Sequence, residues 1–282
     1  MAASTGAGPA RSRCINVTTS QIPAPAPARS TTAASRPHDE YTLRLATGQA
    51  DVIAAQSLRY TVFALEMGAV TPGPPGLDAD GFDDLCDHLI VWHRSPGRPA
   101  EAVGTYRLLP PHSNDHHPRA SGLYANGQFG LMPMESILDR TVEVGRACVR
   151  ADHRGGPAIS MLWRGIATYL NLAGYRYVLG STSMDMSDGG RSAAAFWDLA
   201  LRDHLAPAHR RCRPRHPVPI GRVPRAAELT VPPLLGGYLR LGARVCGPPA
   251  YDEMFGTADF LLLLELGTAD QQYLDRFTCV EG

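Results

Sequence analysis

The 282-residue sequence predicts a mixed α/β fold, and two patterns support this prediction. Strand-like segments alternate with helical segments along most of the chain, which is typical of a sheet covered by helices. The segments HLIVWH and AVGTYRLLP, however, flank the turn RSPGRP, and this arrangement predicts an early antiparallel hairpin. Because a purely parallel sheet contains no such hairpin, the sequence predicts a mixed sheet and not a Rossmann domain.

The elements of the first half follow from local patterns. The segment YTLRLA predicts the first strand. Residues 49–67 carry an apolar stripe at helical spacing and predict a helix; the stripe is formed by Ala54, Leu58, Val62 and Leu65. A loop rich in proline and glycine follows, and then the hairpin. Residues 114–138 predict a polar, glycine-dotted loop that leads into short helical pieces.

The second half begins with the predicted strand TVEVGRACV and the helix after it. Pro157 suits the first turn of this helix, Gly174 supplies its end, and apolar residues recur at three- and four-residue steps between them. The remaining predicted elements are the strand YRYVLGS, helices over 191–201 and 234–241, and strands over 244–246 and 258–266. The last strand contains FLLLLEL, which is too short to cross a membrane and is typical of a buried strand.

Composition divides the chain into two parts. Residues 1–38 are rich in Ala, Pro, Ser and Thr, contain four arginines and no acidic residue, and lack the apolar core of a secretory signal. We therefore expect a disordered tail over 1–38 and one domain over 39–282. The four arginines suggest a peripheral contact with anionic lipid, although their density is low for such recognition.

Charge and cysteine content exclude several classes of function. The 27 basic residues, all of them arginine, balance 27 acidic residues, so a dedicated nucleic-acid binder is disfavoured. The six cysteines form no C-x-x-C pair, which argues against a zinc cluster or a disulfide framework and fits a cytoplasmic protein. We interpret Cys148 as a small buried residue, because the sequence places no activating partner beside it.

The strand, the turn Arg154-Gly155-Gly156 and the following helix predict an anion site. The first N–H groups of a helix lack internal partners, and the helix dipole adds positive potential there. The dinucleotide fingerprint G-x-G-x-x-G is absent, and the chain has no lysine for a P-loop. A cradle for the phosphate of pantetheine remains, with Arg154, Gly155 and Gly156 as its residues.

Several motifs resemble known acyltransferases. The strand–turn–helix segment resembles the central motif of the GNAT N-acyltransferase fold, Gln/Arg-x-x-Gly-x-Gly/Ala, although Arg154 is followed at once by Gly155 and Gly156, and Pro157 stands where the motif has its first glycine. RYTVF, DDLCD, TYRLLP and EVGR resemble, in the same order, motifs of acyl-homoserine-lactone synthases. LRYTVFALEMGA, FDDLCDHLIV and EVGRACVRADHRGG, among other segments between residues 41 and 270, resemble the ornithine N-acyltransferases that make lyso-ornithine lipid.

This resemblance implies a GNAT-like, mainly antiparallel central sheet flanked by helices. It also implies transfer of a fatty acyl group, 3-hydroxylated in that family, from acyl carrier protein to the α-amine of ornithine. The phosphopantetheine thioester would then be a co-substrate, with no bound cofactor and no metal. Peripheral contact with the inner face of the membrane would fit such a product.

The candidate catalytic residues are Glu143 and Arg146, with Glu143 as the general base, acting directly or through water. The alternative is a buried glutamate paired with arginine for structure. The two residues lie three apart on a predicted strand, so regular alternation would direct them to opposite faces. We therefore expect a bulge, which Gly145 makes easy and which would free an N–H group for the oxyanion.

A charged network is predicted around this strand. Arginines in apolar strands are costly unless they are paired, so we expect three arginines to meet three acids. The arginines are Arg59, Arg107 and Arg146, and the acids are Asp84, Asp87 and Glu143. The acids could hold the cationic end of a dibasic amino acid and an arginine its carboxylate, with Phe63 as a wall. A purely structural network and a plain core phenylalanine are the alternatives.

Two polar segments have competing interpretations. Residues 209–225 contain six arginines and no acid, which fits either a solvated loop or a docking surface for the acidic acyl carrier protein. His112, His116 and His117 could suggest a metal, but no carboxylate or thiol accompanies them at a suitable spacing, and a hydrophilic loop is favoured.

The sequence thus predicts an N-acyltransferase that uses acyl carrier protein and ornithine. One alternative is an N-acyl amino acid or acyl-homoserine-lactone-type synthase with another amine acceptor. Another is a non-catalytic module that binds acyl carrier protein or lipid. An ordinary acetyl-CoA enzyme is disfavoured by the irregular turn.

Overall fold

The computed structural model describes residues 39–111 and 122–270, and their strands form one large sheet and one small one. The strands are β1 Glu40–Leu45, β2 Asp87–Arg94, β3 Glu101–Leu109, β4 Phe129–Gly130, β5 Thr141–Val149, β6 Tyr177–Asp185, β7 Arg213–Pro214, β8 Arg244–Val245, β9 Ala250–Asp252 and β10 Thr257–Glu265. The α-helices are α1 Gln49–Tyr60, α2 Ala158–Ala173, α3 Arg191–Leu199 and α4 Pro233–Arg240.

The large sheet has the order β1-β2-β3-β5-β6-β10-β8, with β9 also paired to β10, and β4 pairs with β7 separately. All neighbours in the large sheet are antiparallel except β5 and β6, which are parallel. The parallel pair follows from the connection, because β5 leads through α2 into β6 in a strand–helix–strand unit. The predicted mixed, mainly antiparallel sheet and its early hairpin are confirmed.

Helix α2 covers one face of the sheet. Gly165 lets it approach closely, since a Cβ there would lie 2.6 Å from a methyl group of Leu89. Leu162 and Leu170 of α2 are fully buried, and Gly174 ends the helix in the left-handed conformation at φ 73°. The predicted stop signal is therefore confirmed, and Pro157 lies at the N-cap, one residue before the helix begins.

Helix α1 packs on β3 and continues through a π-helical segment, Thr61–Glu66. The predicted helix over 49–67 is thus confirmed in extent, with a wider turn in its second half. Val142 and Val144 of β5 belong to the core beneath α2. Glu143, which lies between them, therefore points to the opposite face, where α1 lies.

Two differences from the predicted elements matter for function. Strand β6 extends to Asp185, four residues beyond the predicted end at Ser181, and the added residues include Thr182 and Ser183. Strand β9 was not predicted. His112, His116 and His117 lie outside the described residues.

None of the helices within the described ranges combines the length and hydrophobicity needed to cross a membrane.

Candidate active site

Strands β5 and β6 separate in the middle of the sheet. Their pairing covers only Thr141–Tyr177, Val142–Val178 and Glu143–Leu179. Gly180 marks the point of separation, since a Cβ there would lie 2.7 Å from the carbonyl oxygen of Val144. Beyond it the strands enclose a cavity of about 560 Å³, lined by residues 143–149 of β5 and 181–183 of β6.

A bulge in β5 shapes the wall of this cavity. Gly145 pairs with Arg107 and Cys148 with Thr105, so Arg146 and Ala147 together lie opposite a single residue, Tyr106. The predicted bulge is present, but the left-handed residue is Arg146 at φ 48° and not Gly145. The extra residue resets the alternation, which brings the side chains of Glu143 and Arg146 to the same face. Backbone N–H groups outside a regular ladder are suitable donors for an oxyanion.

Glu143 is held by backbone amides. It is 6% exposed and accepts hydrogen bonds from the N–H groups of Tyr124 and Ala125, each at 2.7 Å. Burial raises the pKa of Glu143 from 4.5 to about 7, although the two N–H donors and the charge of Arg107 oppose the rise. Such a carboxylate titrates in the range where a general base is efficient.

The predicted arginine network exists, but its acids differ from those predicted. Arg59 donates from Nε to Asp78 at 2.8 Å and from Nη2 to Asp83 at 2.8 Å. Arg107 donates to Asp80 at 2.7 Å and to Asp83 at 3.2 Å. Arg146 lies 3.3 Å from Asp78 and 3.6 Å from Asp80. Asp78, Asp80 and Asp83 therefore take the places assigned to Asp84, Asp87 and Glu143.

The local backbone explains why Asp83, and not Asp84 or Asp87, belongs to the network. Residues Asp83–Leu85 form a short 3-10 turn that buries Asp83 and leaves Asp84 exposed. Asp87 begins β2 and accepts a hydrogen bond from the hydroxyl of Tyr169 on α2, at 2.7 Å. Neither Asp84 nor Asp87 lines the cavity. The sequence pattern of close acids could not show which carboxylate turns inward.

Of the other predicted residues, three line the cavity and one lies behind its wall. Phe63 lines the cavity and packs edge-to-face on Phe255, with ring centroids 5.8 Å apart. Arg107 and Arg146 also line it. Arg59 is 1% exposed and does not reach the cavity, so it supports the wall through Asp78 and Asp83.

The turn before α2 borders a second cavity, of about 530 Å³, that adjoins the first. Arg154 and Gly155 line it, and Tyr106, Ala147 and Leu234 are among the residues that both cavities share. Gly155 has φ 85°, which favours glycine. The amide of Gly156 donates to the carbonyl of His153 at 3.3 Å, and Gly156 lines neither cavity. The two cavities form a path from the start of α2 to Glu143.

Arg154 is anchored at this entrance. Its Nε donates to the carbonyl of Val149 at 2.9 Å, and its Nη2 pairs with Glu66 of the π-helical segment. The guanidinium remains about half exposed. It thus contributes positive charge at the entrance near the N-terminus of α2.

Sequence reasoning missed several polar residues of the cavity. Four of these residues are Tyr124, Asp252, Thr257 and Asp259, which all line it. Asp259 is 5% exposed and accepts hydrogen bonds from Thr257 at 2.8 Å and from the amide of Gln128 at 2.8 Å. The signal was present, because Asp259 interrupts the apolar strand ADFLLLLEL, and a carboxylate at such a position requires partners.

The structure also bears on the predictions about Cys148 and about possible metal ligands. Burial raises the pKa of the Cys148 thiol to about 12, so the interpretation of Cys148 as a buried apolar residue is confirmed. Within residues 39–111 and 122–270, no group of three or more His, Cys, Asp or Glu side chains is arranged to hold a metal ion.

The basic segment, residues 209–225, is largely bound to the rest of the chain. Arg210 donates to the carbonyl of Pro133, Arg211 to that of Ala206 and Arg215 to that of Asn126. Arg225 pairs with Asp198 at 2.8 Å. None of the residues in this segment lines either cavity, and the exposed Arg213 and Arg222 face solvent.

Comparisons with known proteins agree with this geometry. Residues 58–164 match the acetyltransferase (GNAT) domain family. The chain is 34% identical to the L-ornithine N(alpha)-acyltransferase of Rhodobacter capsulatus over 258 residues, which cover 86% of this chain and 96% of that protein. It is also 34% identical to the L-ornithine N(alpha)-acyltransferase of Rhizobium meliloti, with 85% of this chain and 84% of that protein covered.

A solved CoA-dependent acyl-homoserine lactone synthase superposes with a TM-score of 0.45 at 17% identity, with 81% of each chain covered. The matches to the two acyltransferases, which cover more than four fifths of each chain, confirm the resemblance first recognised in the motifs. The chain therefore has the GNAT fold and belongs to the L-ornithine N(alpha)-acyltransferase family.

Proposed function

We propose that this acyltransferase moves a fatty acyl group, 3-hydroxylated in the family's reaction, from the phosphopantetheine thioester of acyl carrier protein to the α-amine of ornithine. The observation that carries the proposal is the separation of β5 and β6 beside Glu143. It leaves a path along which an extended thioester can pass between the strands. The names of the relatives motivate ornithine as the acceptor.

The donor enters beside α2. The exposed Arg154 and the N-terminus of α2 lie at the entrance, where they favour the phosphate of pantetheine. The predicted cradle is thus reduced to Arg154, Gly155 and the first amides of the helix, since the amide of Gly156 is used in the turn. The acyl chain lies against apolar side chains of the inner cavity, which include Val62, Met67 and Leu109.

The chemistry takes place beside the bulge. Glu143 accepts a proton from the α-ammonium, directly or through water, and the free amine attacks the thioester carbonyl. The carbonyl oxygen gains negative charge, which a backbone N–H at Arg146 or Ala147 stabilises. When the tetrahedral intermediate collapses, the C–S bond breaks and the pantetheine thiolate leaves. The nitrogen gives up its second proton to the thiolate, so the products are the amide and the free thiol, and Glu143 returns the first proton to solvent.

A donor and acceptor matrix tests the proposal. The purified protein is incubated with long-chain acyl carrier protein, the matching acyl-CoA or acetyl-CoA, together with ornithine or another amino acid, and the products are identified by mass spectrometry. We expect the highest kcat/KM for acyl carrier protein with ornithine, and the acyl group on the α-nitrogen. Preference for acetyl-CoA, preference for a neutral amino acid, or carrier binding without turnover would each contradict the proposal.

A further inference from the structure

Two carboxylates stand side by side at one end of the cavity. Asp252 lies on β9 and Asp259 on β10, which are paired strands, and both side chains line the cavity. The side-chain amide of Gln128 bridges them, with Nε2 3.1 Å from Asp252 and 2.8 Å from Asp259. The amide is neutral, so it satisfies hydrogen-bonding capacity without balancing the two negative charges.

No cation of the described part of the chain balances this pair. Over residues 39–111 and 122–270, no arginine or histidine lies within ion-pairing distance of Asp252 or Asp259, whereas Asp78, Asp80 and Asp83 all have arginine partners. Burial raises the pKa of Asp259, and the nearby charge of Asp252 adds to the rise. An uncompensated buried carboxylate is costly for the fold, and a cationic ligand in the cavity would reduce that cost.

A second, independent feature of the cavity is a buried donor on Arg146 that lacks an acceptor, although the guanidinium also lies near the carboxylates of Asp78 and Asp80. Arg146 is 9% exposed at its side chain and lines the cavity, but its buried Nε–H group makes no hydrogen bond; the carboxylate of Asp78 lies 3.3 Å away outside hydrogen-bonding geometry. The guanidinium is held over the rings of Tyr124 and Phe255, at 5.3 and 5.5 Å from their centroids. A buried N–H without an acceptor indicates that a ligand supplies one, and a carboxylate matches guanidinium geometry.

Tyr124 is close to both features. Its ring packs under Arg146. Burial raises the pKa of its hydroxyl, Arg146 opposes the rise, and the charges of Asp252 and Asp259 add to it. The cavity therefore has a guanidinium and two carboxylates around Tyr124. A molecule with a carboxylate at one end and an ammonium at the other, joined by a short aliphatic chain, complements this arrangement.

We propose that Asp252 and Asp259, bridged by Gln128, bind the side-chain ammonium of the acceptor amino acid, while Arg146 binds its α-carboxylate. The inference rests on the proposed function. It assigns recognition of the side-chain ammonium to Asp252 and Asp259, whereas the sequence predicted Asp84 and Asp87 for that role. The site selects amino acids with a cationic side chain. A neutral side chain would leave the buried Asp259 and the partly exposed Asp252 without a cation, and a site built in this way rejects such analogues.

The test compares ornithine with norvaline, which has the same three side-chain carbons but no ammonium. Asp252→Asn and Asp259→Asn keep the size of the side chain and remove its charge. We expect the ratio of kcat/KM for ornithine to that for norvaline to fall by about 10- to 100-fold in each variant, through a higher KM for ornithine. Acylation of norvaline should stay within about threefold of the wild type. Glu253→Gln, an exposed acid next to Asp252, is the matched control and should leave the ratio unchanged.

The outcomes separate this inference from the proposed function. A wild-type enzyme that prefers norvaline would contradict the proposed function and this inference together. A wild type that prefers ornithine, with variants that keep the same preference, would overturn the ammonium site alone. If Asp259→Asn does not fold, Asp252→Asn decides, because Asp252 is partly exposed and asparagine retains the oxygen that accepts the N–H groups of Met254 and Phe255.

Discussion

At Glu143, burial and hydrogen bonding act on the pKa in opposite directions. Two backbone N–H groups favour the carboxylate, but burial outweighs them and brings the pKa to about 7. The same two bonds fix the carboxylate against the loop at Tyr124, so it needs no arginine partner to stay in place. This arrangement fits a base that must exchange a proton better than it fits a structural ion pair.

Replacement of this base is the first residue-scale prediction. We expect Glu143→Gln to lower kcat by about 10²- to 10⁴-fold, because general base catalysis contributes about that much. In the wild type, kcat/KM should fall as the pH drops below about 7, where Glu143 becomes protonated, and this acid limb should disappear in the variant. Stopped assays from pH 5.5 to 9 measure both effects. Glu135→Gln, an exposed glutamate, is the control, and an unchanged pH profile in Glu143→Gln would exclude Glu143 as the base.

The adjacent residues Asp83 and Asp84 provide a second residue-scale prediction. Asp83 pairs with Arg59 and Arg107 in the interior, whereas Asp84 is exposed. We expect Asp83→Asn to lower the free energy of unfolding by about 3 kcal/mol, because it leaves buried arginines undercompensated. Asp84→Asn should change it by less than about 0.5 kcal/mol. Urea unfolding at pH 7 measures the difference, and equal effects would contradict the assignment of Asp83 as the network acid.

The pH dependence of stability follows from the same residue. Burial tends to raise the pKa of Asp83, but the hydrogen bonds and charge of Arg59 outweigh it and lower the pKa from 3.8 to about 2. The folded state therefore binds the proton less tightly than the unfolded state does. The stabilisation is complete above pH 4 or so and is lost as the pH falls through about 2. Asp83→Asn should lack this component of acid unfolding.

At the scale of residues, the sequence predicted the parts of the site in which burial of a charged side chain requires a partner. Arg107 and Arg146 interrupt apolar strands, so a buried network had to exist around them. The acids of that network lie in the loop of residues 78–84, where no periodicity fixes which side chain turns inward. Asp252 and Asp259 were missed because their partner, Gln128, lies more than 100 residues away in sequence.

At the scale of elements, the decisive feature is where β5 and β6 stop pairing. The sequence predicted both strands, the helix between them and the bulge, because each depends on local spacing. The point of separation depends on a contact between strands, namely Gly180 against Val144. The conformation within the bulge also depends on that wider context, so the left-handed residue is Arg146 instead of the adjacent glycine.

Two glycines beside the cavity test this reading of the sheet. We expect Gly180→Ala to lower the free energy of unfolding by about 1–3 kcal/mol, since the added methyl would lie 2.7 Å from a backbone oxygen that cannot move independently of β5. Gly145→Ala should change it by less than about 0.5 kcal/mol, because no atom lies within 4 Å of the new Cβ and φ is not positive. Thermal unfolding of the two variants decides. A larger loss in Gly145→Ala would place the strained residue of the bulge at Gly145 after all.

At the scale of the whole molecule, positive and negative charges are equal in number, so electrostatic attraction depends on local patches of charge. With 27 arginines against 27 acids, the chain has no net field to attract an acidic partner. In the proposed reaction, encounter with acyl carrier protein would depend on local patches of charge, and two patches are candidates. One lies at the cavity entrance around Arg154, and the other is the basic segment, whose Arg213 and Arg222 are exposed. Only the entrance patch adjoins the path to Glu143.

Salt dependence distinguishes carrier docking from binding of the thioester alone. With ornithine saturating, we expect the KM for acyl carrier protein to rise several-fold between about 50 and 300 mM salt, because screening weakens attraction between exposed charges. The KM for the same acyl group on pantetheine, which lacks the protein, should change by less than about twofold. An equal salt response of the two donors would contradict electrostatic docking of the carrier.

The same assay locates the docking surface. If the entrance patch is responsible, Arg213→Ser combined with Arg222→Ser should leave the salt response intact, as should Arg98→Ser in the turn between β2 and β3. If the basic segment docks the carrier, the double variant alone should flatten the response. The position of the cavities favours the first result, because a pantetheine arm delivered at the entrance meets the strand separation directly, whereas the arginines of the basic segment are largely engaged in holding their own loops.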